Sequence, residues 1–320
     1  MPPGSGSRVV RRVAGRLRDS AARQLVLDRR EERRRMPWPA RRDRRATDRA
    51  NVAAVVVNFN TRALIAQLVF SLCRLLGRQQ LAEIVVVDNG SHDGSVGLLE
   101  ALDRAGLIHL VANGRQRYHG PALNQGISWL AERQGGAPHG EQIDYVWVVD
   151  SDVVVLRPDT IHDAVAALEH SEAALLGQSA TLPHHEHEML GVYSLLLDPA
   201  VVWRAPIPPF REHGEPSAAL QVALRRHGCK LTAFPFVDAG YVLHLGRGTL
   251  ASVATAGARR NRYFAWATEH NEPHYAGAAG GHSTHAAFLE LFERELPEVT
   301  PEALVDACGS SRRLALPRCT

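Results

Sequence analysis

Lysine is almost absent: Lys230 stands alone beside 36 arginines in the 320 residues. No Gly-rich loop ending in lysine is therefore available to cradle phosphates after the first apolar run, and no G-x-G-x-x-G follows that run either. Walker-type nucleotide binding and a dinucleotide site are both set aside. Cysteine is sparse. Cys73, Cys229, Cys308 and Cys319 lie far apart, with no C-x-x-C pair and no histidine at zinc-finger spacing. That pattern reads as ordinary cytosolic thiols, not as a disulfide framework or a structural metal site. No apolar stretch approaches the ~20 residues a membrane span needs. Arginines interrupt the first 50 residues throughout, so a signal-peptide core is missing and a cytoplasmic protein is expected.

With 45% hydrophobic side chains the chain can bury a large core. The net charge of +3 is unevenly placed. Residues 1–50 carry 16 Arg against 6 Asp or Glu, about +10, which leaves 3 − 10 = −7 for residues 51–320. Basic character thus belongs to the tail, which reads either as a solvated, disordered segment or as a basic amphipathic stretch making weak contact with an anionic membrane. No nucleic-acid partner is expected. The sequence divides into this tail (1–50), a ligand-binding half (51–156), a second half of the same domain (157–250) and a C-terminal helical extension with a Gly- and His-rich loop (251–320).

The stretch that organises the folded part is Tyr145-Val-Trp-Val-Val-Asp150-Ser-Asp152. Five apolar residues, mostly β-branched or aromatic, predict a buried strand. It ends in two carboxylates at i and i+2, which extended backbone directs to one side. Two readings are open for such a pair: solvated acids in a turn, or a site whose charge a hard divalent cation takes up beside phosphate oxygens. Upstream, Val52–Val57 predicts a strand ending in Asn58-Phe-Asn60-Thr61, followed by a helix with Leu64, Ile65, Leu68, Val69, Leu72, Leu75 and Leu76 on one face. Ile84–Val87 predicts a strand ending in Asp88-Asn89-Gly-Ser91-His-Asp93-Gly-Ser95, where Ser91 or Asp93 can cap the next helix. Leu107–Val111 predicts a third strand, leading to Gly120-Pro-Ala-Leu-Asn124-Gln-Gly126 and a helix. Alternation of strands and helices implies an α/β fold with parallel pairing, and the polar strand ends then converge on one rim.

These four motifs, in this order and spacing, resemble the family 2 nucleotide-sugar glycosyltransferases of the GT-A fold over about residues 52–156, and more loosely on to about 250. The resemblance implies a Rossmann-like, mostly parallel sheet flanked by helices, a UDP-, GDP- or dTDP-sugar donor, Mn²⁺ or Mg²⁺ as cofactor, and a carbohydrate, lipid-linked or small-metabolite acceptor. By the same resemblance Asp88 contacts the base or ribose, Asn58, Asn60 and Asn89 belong to the donor-binding set, Asn124 falls in the segment near the nucleotide, Asp150 is the ribose-side acid and Asp152 the metal ligand. Leu123 stands where the family carries an arginine.

Beyond Asp152 the pattern predicts a helix over 158–169, strands over 173–182, 191–197 and 230–236, and a helix from Glu215 to Gly228, the C′ glycine. His184, His185 and His187 are interleaved with glutamate but lack the i, i+4 spacing of a zinc helix, and read as an acceptor-side loop. In the resembled family an acidic pair opens the helix over 215–228 and supplies the general base. Pro216 and Ser217 occupy those positions here, so Glu215, one residue out of register, is the candidate base and Asp238 the second. A late strand histidine completes the metal shell in many such enzymes, which His244 resembles; Arg247 is placed to reach the departing diphosphate. Rival readings are a sugar-phosphate nucleotidyltransferase, which would want basic residues after the first strand, and an inactive scaffold of the same fold. Residues 272–285 form the Gly- and His-rich loop, a helix is expected around Phe288–Phe292, and the last dozen residues are expected to be unstructured.

Overall fold

The computed structural model describes residues 37–39, 49–76, 81–134, 141–180, 188–211, 216–245 and 299–315, with side chains to 310. Strand β1 (Val52–Asn58) leads to helix α1 (Arg62–Leu76), β2 (Glu83–Asp88) to α2 (Ser95–Arg104), and β3 (His109–Ala112) to α3 (His119–Gln134). Then follow β4 (Tyr145–Asp150), β5 (Val153–Val155), α4 (Thr160–Ser171), β6 (Leu175–Ala180), β7 (Met189–Leu197), the single turn α5 (Pro199–Val202), α6 (Ala218–Arg226), β8 (Leu231–Ala233), β9 (Val242–His244) and α7 (Pro301–Ala315). The main sheet has seven strands in the order β3-β2-β1-β4-β7-β6-β8. Neighbours run parallel except β7, which is antiparallel to both β4 and β6. The predicted mostly parallel α/β sheet is what forms.

Continuous apolar strands follow from helices on both faces. All seven residues of β1 are buried. Val52, Ala54 and Val56 meet α1, α2, α4 and α7 on one side, while Ala53, Val55 and Val57 meet α3 and α6 on the other. The apolar stripe predicted for α1 is its buried face, from Leu64 through Leu75. Trp147 is wholly enclosed, and its indole N–H donates to Ser194 Oγ at 3.0 Å, so the large ring costs no unsatisfied donor.

Parallel register decides where the polar strand ends lie. Asn58 is level with Asp88, and Asp150 is level with Val57, so the three polar ends share one rim. Three departures from expectation matter. After Asp150 the chain turns straight into β5, which pairs antiparallel with β9 in a separate two-stranded ribbon. The final residues are not all irregular: α7 runs through Ala315, burying Leu304 and Cys308 against the face built by α1 and α2, because the sequence places apolar residues four apart there. Asp93 serves two helices rather than one, accepting from Arg62 N–H at the start of α1 (2.8 Å) and from Ser95 N–H at the start of α2 (3.0 Å). The histidine run 184–187, Glu215, Arg247, the loop over 272–285 and the helix expected at 288–292 lie outside the described residues. Among the described residues no helix is long and apolar enough to cross a membrane.

Helix α3 contains glycines that ordinary helix propensity would disfavour, and close packing explains them. A Cβ on Gly120 would stand 1.8 Å from the Arg211 carbonyl oxygen, and one on Gly126 would stand 2.7 Å from Val55 Cγ1. Gly97, in α2, has nothing within 4 Å of such an atom. Gly120→Ala should therefore lower unfolding stability by about 1–3 kcal/mol through overpacking, whereas Gly97→Ala should raise it by up to ~1 kcal/mol through helix propensity. Denaturant unfolding of the two variants checks the opposite signs.

Candidate active site

The rim is wired before any ligand is considered. Asp88 is 1% exposed, and three donors hold its carboxylate: Asn58 Nδ2 at 2.8 Å, Gly90 N–H at 3.1 Å and Ser91 N–H at 3.0 Å. Ser91 Oγ in turn accepts from Asn58 Nδ2 (3.1 Å) and from Asn60 N–H (3.0 Å). Asn60 takes a left-handed backbone (φ 53°), which asparagine tolerates, and its side-chain oxygen accepts from His92 N–H at 2.8 Å. Thr61 Oγ1 donates to Asn58 Oδ1 (2.6 Å) and lies 3.0 Å from Ser151 Oγ, tying the end of β1 to the turn that carries the two acids. A network this completely satisfied holds its loops in one arrangement.

Against that frame the acids meet a histidine. Pairing of β5 with β9 sets Val153 opposite His244, and Leu245 N–H donates to the Asp152 carbonyl at 3.0 Å. His244 Nε2 consequently stands 3.6 Å from Asp152 Oδ1. Asp150, Asp152 and His244 each offer a ligand atom, and the three atoms lie within 4.8 Å of one another. Asp150 Oδ1 is shielded from solvent yet accepts no hydrogen bond. Two carboxylates and an imidazole, with one buried oxygen that accepts no hydrogen bond and has, among the described residues, only the ion-pair contact of His119 at 3.3 Å, fit a divalent ion such as Mn²⁺ or Mg²⁺. Burial alone would lower the His244 pKa, but the hydrogen bond and charge of Asp152 and the charge of Asp150 outweigh it, so the net shift is upward.

Two further side chains complete the cluster. Ser194 of β7 pairs with Val149, which brings Tyr193 to the end of β4. The Tyr193 ring stacks on His244 with centroids 4.0 Å apart and planes 13° off parallel. Burial, with the charges of Asp238 and Asp150, pushes its hydroxyl up to about 12, so it keeps its proton and can donate a hydrogen bond. His119, the first residue of α3, places Nε2 3.3 Å from Asp150 Oδ1. Sequence reasoning named neither residue. His119 directly precedes the Gly120 motif, a usable signal; Tyr193 sits in an unremarkable strand, and only the insertion of β7 beside β4 brings it here.

The structure thus gathers Asp150, Asp152 and His244, with exposed Asp238 close enough to act on Tyr193. Asp238 also accepts from Gln178 Nε2 at 2.8 Å. Asn58, Asn60 and Asp88 are the scaffold of the adjoining rim. Asn89, 2% exposed, accepts from Arg117 N–H (2.9 Å) and donates to the Tyr118 carbonyl (3.2 Å), shaping the approach to α3. Asn124 lies apart from the cluster. Its amide donates to the Phe210 carbonyl (2.8 Å) and accepts from Phe210 N–H (2.9 Å), clasping α3 to the segment before α6. Leu123 is fully buried in the core.

The fold is a mostly parallel sheet with acids at the carboxyl ends of its strands, the arrangement that the resemblance to the GT-A fold implied. Residues 53–186 match the model of Glycosyl transferase family 2. No curated protein matches the chain in sequence. Among solved structures, mannosyltransferase PcManGT from Pyrobaculum calidifontis, in complex with GDP-Man and Mn²⁺, is 17% identical with TM-score 0.45 over 91% of this chain and 94% of that one. S. aureus TarS 1–349 in complex with UDP-GlcNAc is 15% identical with TM-score 0.44, over 83% and 82%. Glucosyl-3-phosphoglycerate synthase from Mycobacterium tuberculosis, in complex with Mn²⁺, UDP and glucosyl-3-phosphoglycerate, is 16% identical with TM-score 0.41, over 66% and 82%. A longer TarS chain is spanned over only 38% of its length. Likenesses this distant say nothing about donor or acceptor.

The raised His244 pKa has a definite sign in linkage. Stabilisation of the imidazolium by Asp152 and Asp150 is fully present below the ordinary histidine pKa and is lost as pH rises through the folded value. In metal-free protein, the stability advantage of wild type over His244→Gln should shrink between pH 5.5 and 8. Stabilisation of wild type by Mn²⁺ should grow over the same interval, since the ion needs the neutral imidazole. Thermal melts of both proteins across that range check the two opposite slopes.

Proposed function

We propose that this protein transfers a sugar from a nucleoside-diphosphate donor to an acceptor hydroxyl, assisted by a divalent metal. The observation that carries this reading is the convergence of Asp150, Asp152 and His244 at the sheet rim of a chain whose residues 53–186 match Glycosyl transferase family 2. Asp152 and His244 would hold Mn²⁺ or Mg²⁺, with Asp150 in reach of the same point. When bound, the ion supplies Lewis-acid stabilisation of the charge that develops on a leaving diphosphate.

The protein's own groups account for the rest. The wired loop over Asn58, Asn60, Asp88 and Asn89 offers a rigid edge for the nucleoside, costing little reorganisation when the donor docks. Asp150, held beside His119, would serve the ribose side of that edge. Two carboxylates are candidates for the acceptor proton, Glu215 and Asp238, and general-base catalysis by either would go with inversion at the anomeric carbon. Asp238 is exposed and adjoins Tyr193, so it can accept a proton without leaving a buried charge. Arg247 is assigned to the departing diphosphate. The arginine-rich first 50 residues would add weak contact with an anionic membrane, near a lipid-linked acceptor if that is the class used.

Thermal stabilisation by UDP, GDP and dTDP, each with and without Mn²⁺, tests the reading on wild type and Asp152→Ala. One nucleotide should raise the melting temperature only when metal is present, by an amount equivalent to roughly 2–3 kcal/mol at a hundredfold excess over Kd, and Asp152→Ala should abolish the shift. A well-folded protein that responds to no nucleotide would remove the transferase reading.

A further inference from the structure

The imidazole of His244 sits on β9, a strand of three residues whose described ladder partner is β5. Side-chain torsions would let such a ring turn through many orientations, and only some aim Nε2 at Asp152. What stands against the ring is Tyr193, near parallel at 13° with a centroid separation of 4.0 Å. Tyr193 itself belongs to β7, which is nine residues long and held on both sides by β4 and β6. The platform is therefore part of the main sheet, while the group it supports is on the peripheral ribbon. Tyr193 is also partly buried, packed against the core.

We propose that Tyr193 is a positioning residue for the metal centre: its ring, acting as a flat support, sets the His244 imidazole plane so that Nε2 faces the point shared with Asp152 and Asp150. The inference rests on the metal reading above and deepens it. Support of this kind from beyond the ligands orients them and sustains metal affinity. The ring carries the effect through stacking, so phenylalanine should replace tyrosine at this task, whereas an aliphatic residue of similar bulk should not.

The test is Mn²⁺ binding, followed by the paramagnetic resonance signal of the free ion, on full-length wild type, Tyr193→Phe, Tyr193→Leu, Tyr193→Ile and Asp152→Asn, each checked for a cooperative thermal melt without metal. Tyr193→Phe should bind within about twofold of wild type, and Tyr193→Leu should bind roughly 10- to 100-fold more weakly while still folded. Isoleucine suits a strand and supplies the same comparison should the leucine variant fail to fold. Wild-type affinity in a folded aliphatic variant would overturn the role of Tyr193, as would a loss in Tyr193→Phe equal to that in Tyr193→Leu. These outcomes are separable from failure of the metal reading. If wild type binds no Mn²⁺, or Asp152→Asn binds it equally well, the metal centre itself falls and the positioning role with it; if only the tyrosine series is flat, the centre stands and the role does not.

Discussion

Pairing of β5 with β9 is the constraint on which the site depends. Two carboxylates at the end of β4 repel one another; His119 Nε2 stands 3.3 Å from Asp150 Oδ1, an oxygen that is shielded from solvent yet accepts no hydrogen bond. The ribbon answers by folding a distant strand back so that His244 faces Asp152, with the backbone bond from Leu245 N–H to the Asp152 carbonyl fixing the approach. Without that ladder Asp152 would lose its histidine, leaving the acids closer to the solvated reading their spacing alone permits.

The parts that surround the cluster are rigid for a reason that is also chemical. A site of the proposed kind, which would recognise a nucleotide and place a leaving group, gains from loops that do not reorganise on binding. Asp88 illustrates this. Its oxygens are shared among Asn58 Nδ2 and the N–H groups of Gly90 and Ser91, so it shapes the rim through its neighbours while presenting almost no surface itself. Asn124 does similar work at longer range, joining α3 to Phe210 with both ends of one amide. Gly120 lets the same two segments come within backbone contact. The motif spellings that resemble the glycosyltransferase family therefore describe wiring in these places.

Charge is partitioned in a way that suits the proposed chemistry. Acids gather at the rim, His119 and His244 lie against them, and the excess of arginine is concentrated in the first 50 residues. Tyr193 adds a hydroxyl that stays protonated between Asp238 and Asp150, a neutral donor.

Strand and helix identity for β1 through β4 was written locally, in apolar runs of strand length followed by one-sided helical stripes, because period and burial are properties of neighbouring residues. The acids at 150 and 152 were legible for the same reason: the residues that make the turn are adjacent in the chain. The tertiary structure alone decided which distant groups join them. Nothing around Tyr193 signals that β7 would enter the sheet antiparallel beside β4, and nothing around Leu304 and Cys308 ties α7 to α1. Such contacts depend on strand order and packing, which couple residues far apart in sequence through shared buried surface. The sequence determined the local elements and the spacing of the carboxylates; long-range pairing of β4 with β7 and of β5 with β9 decided that they would become one site.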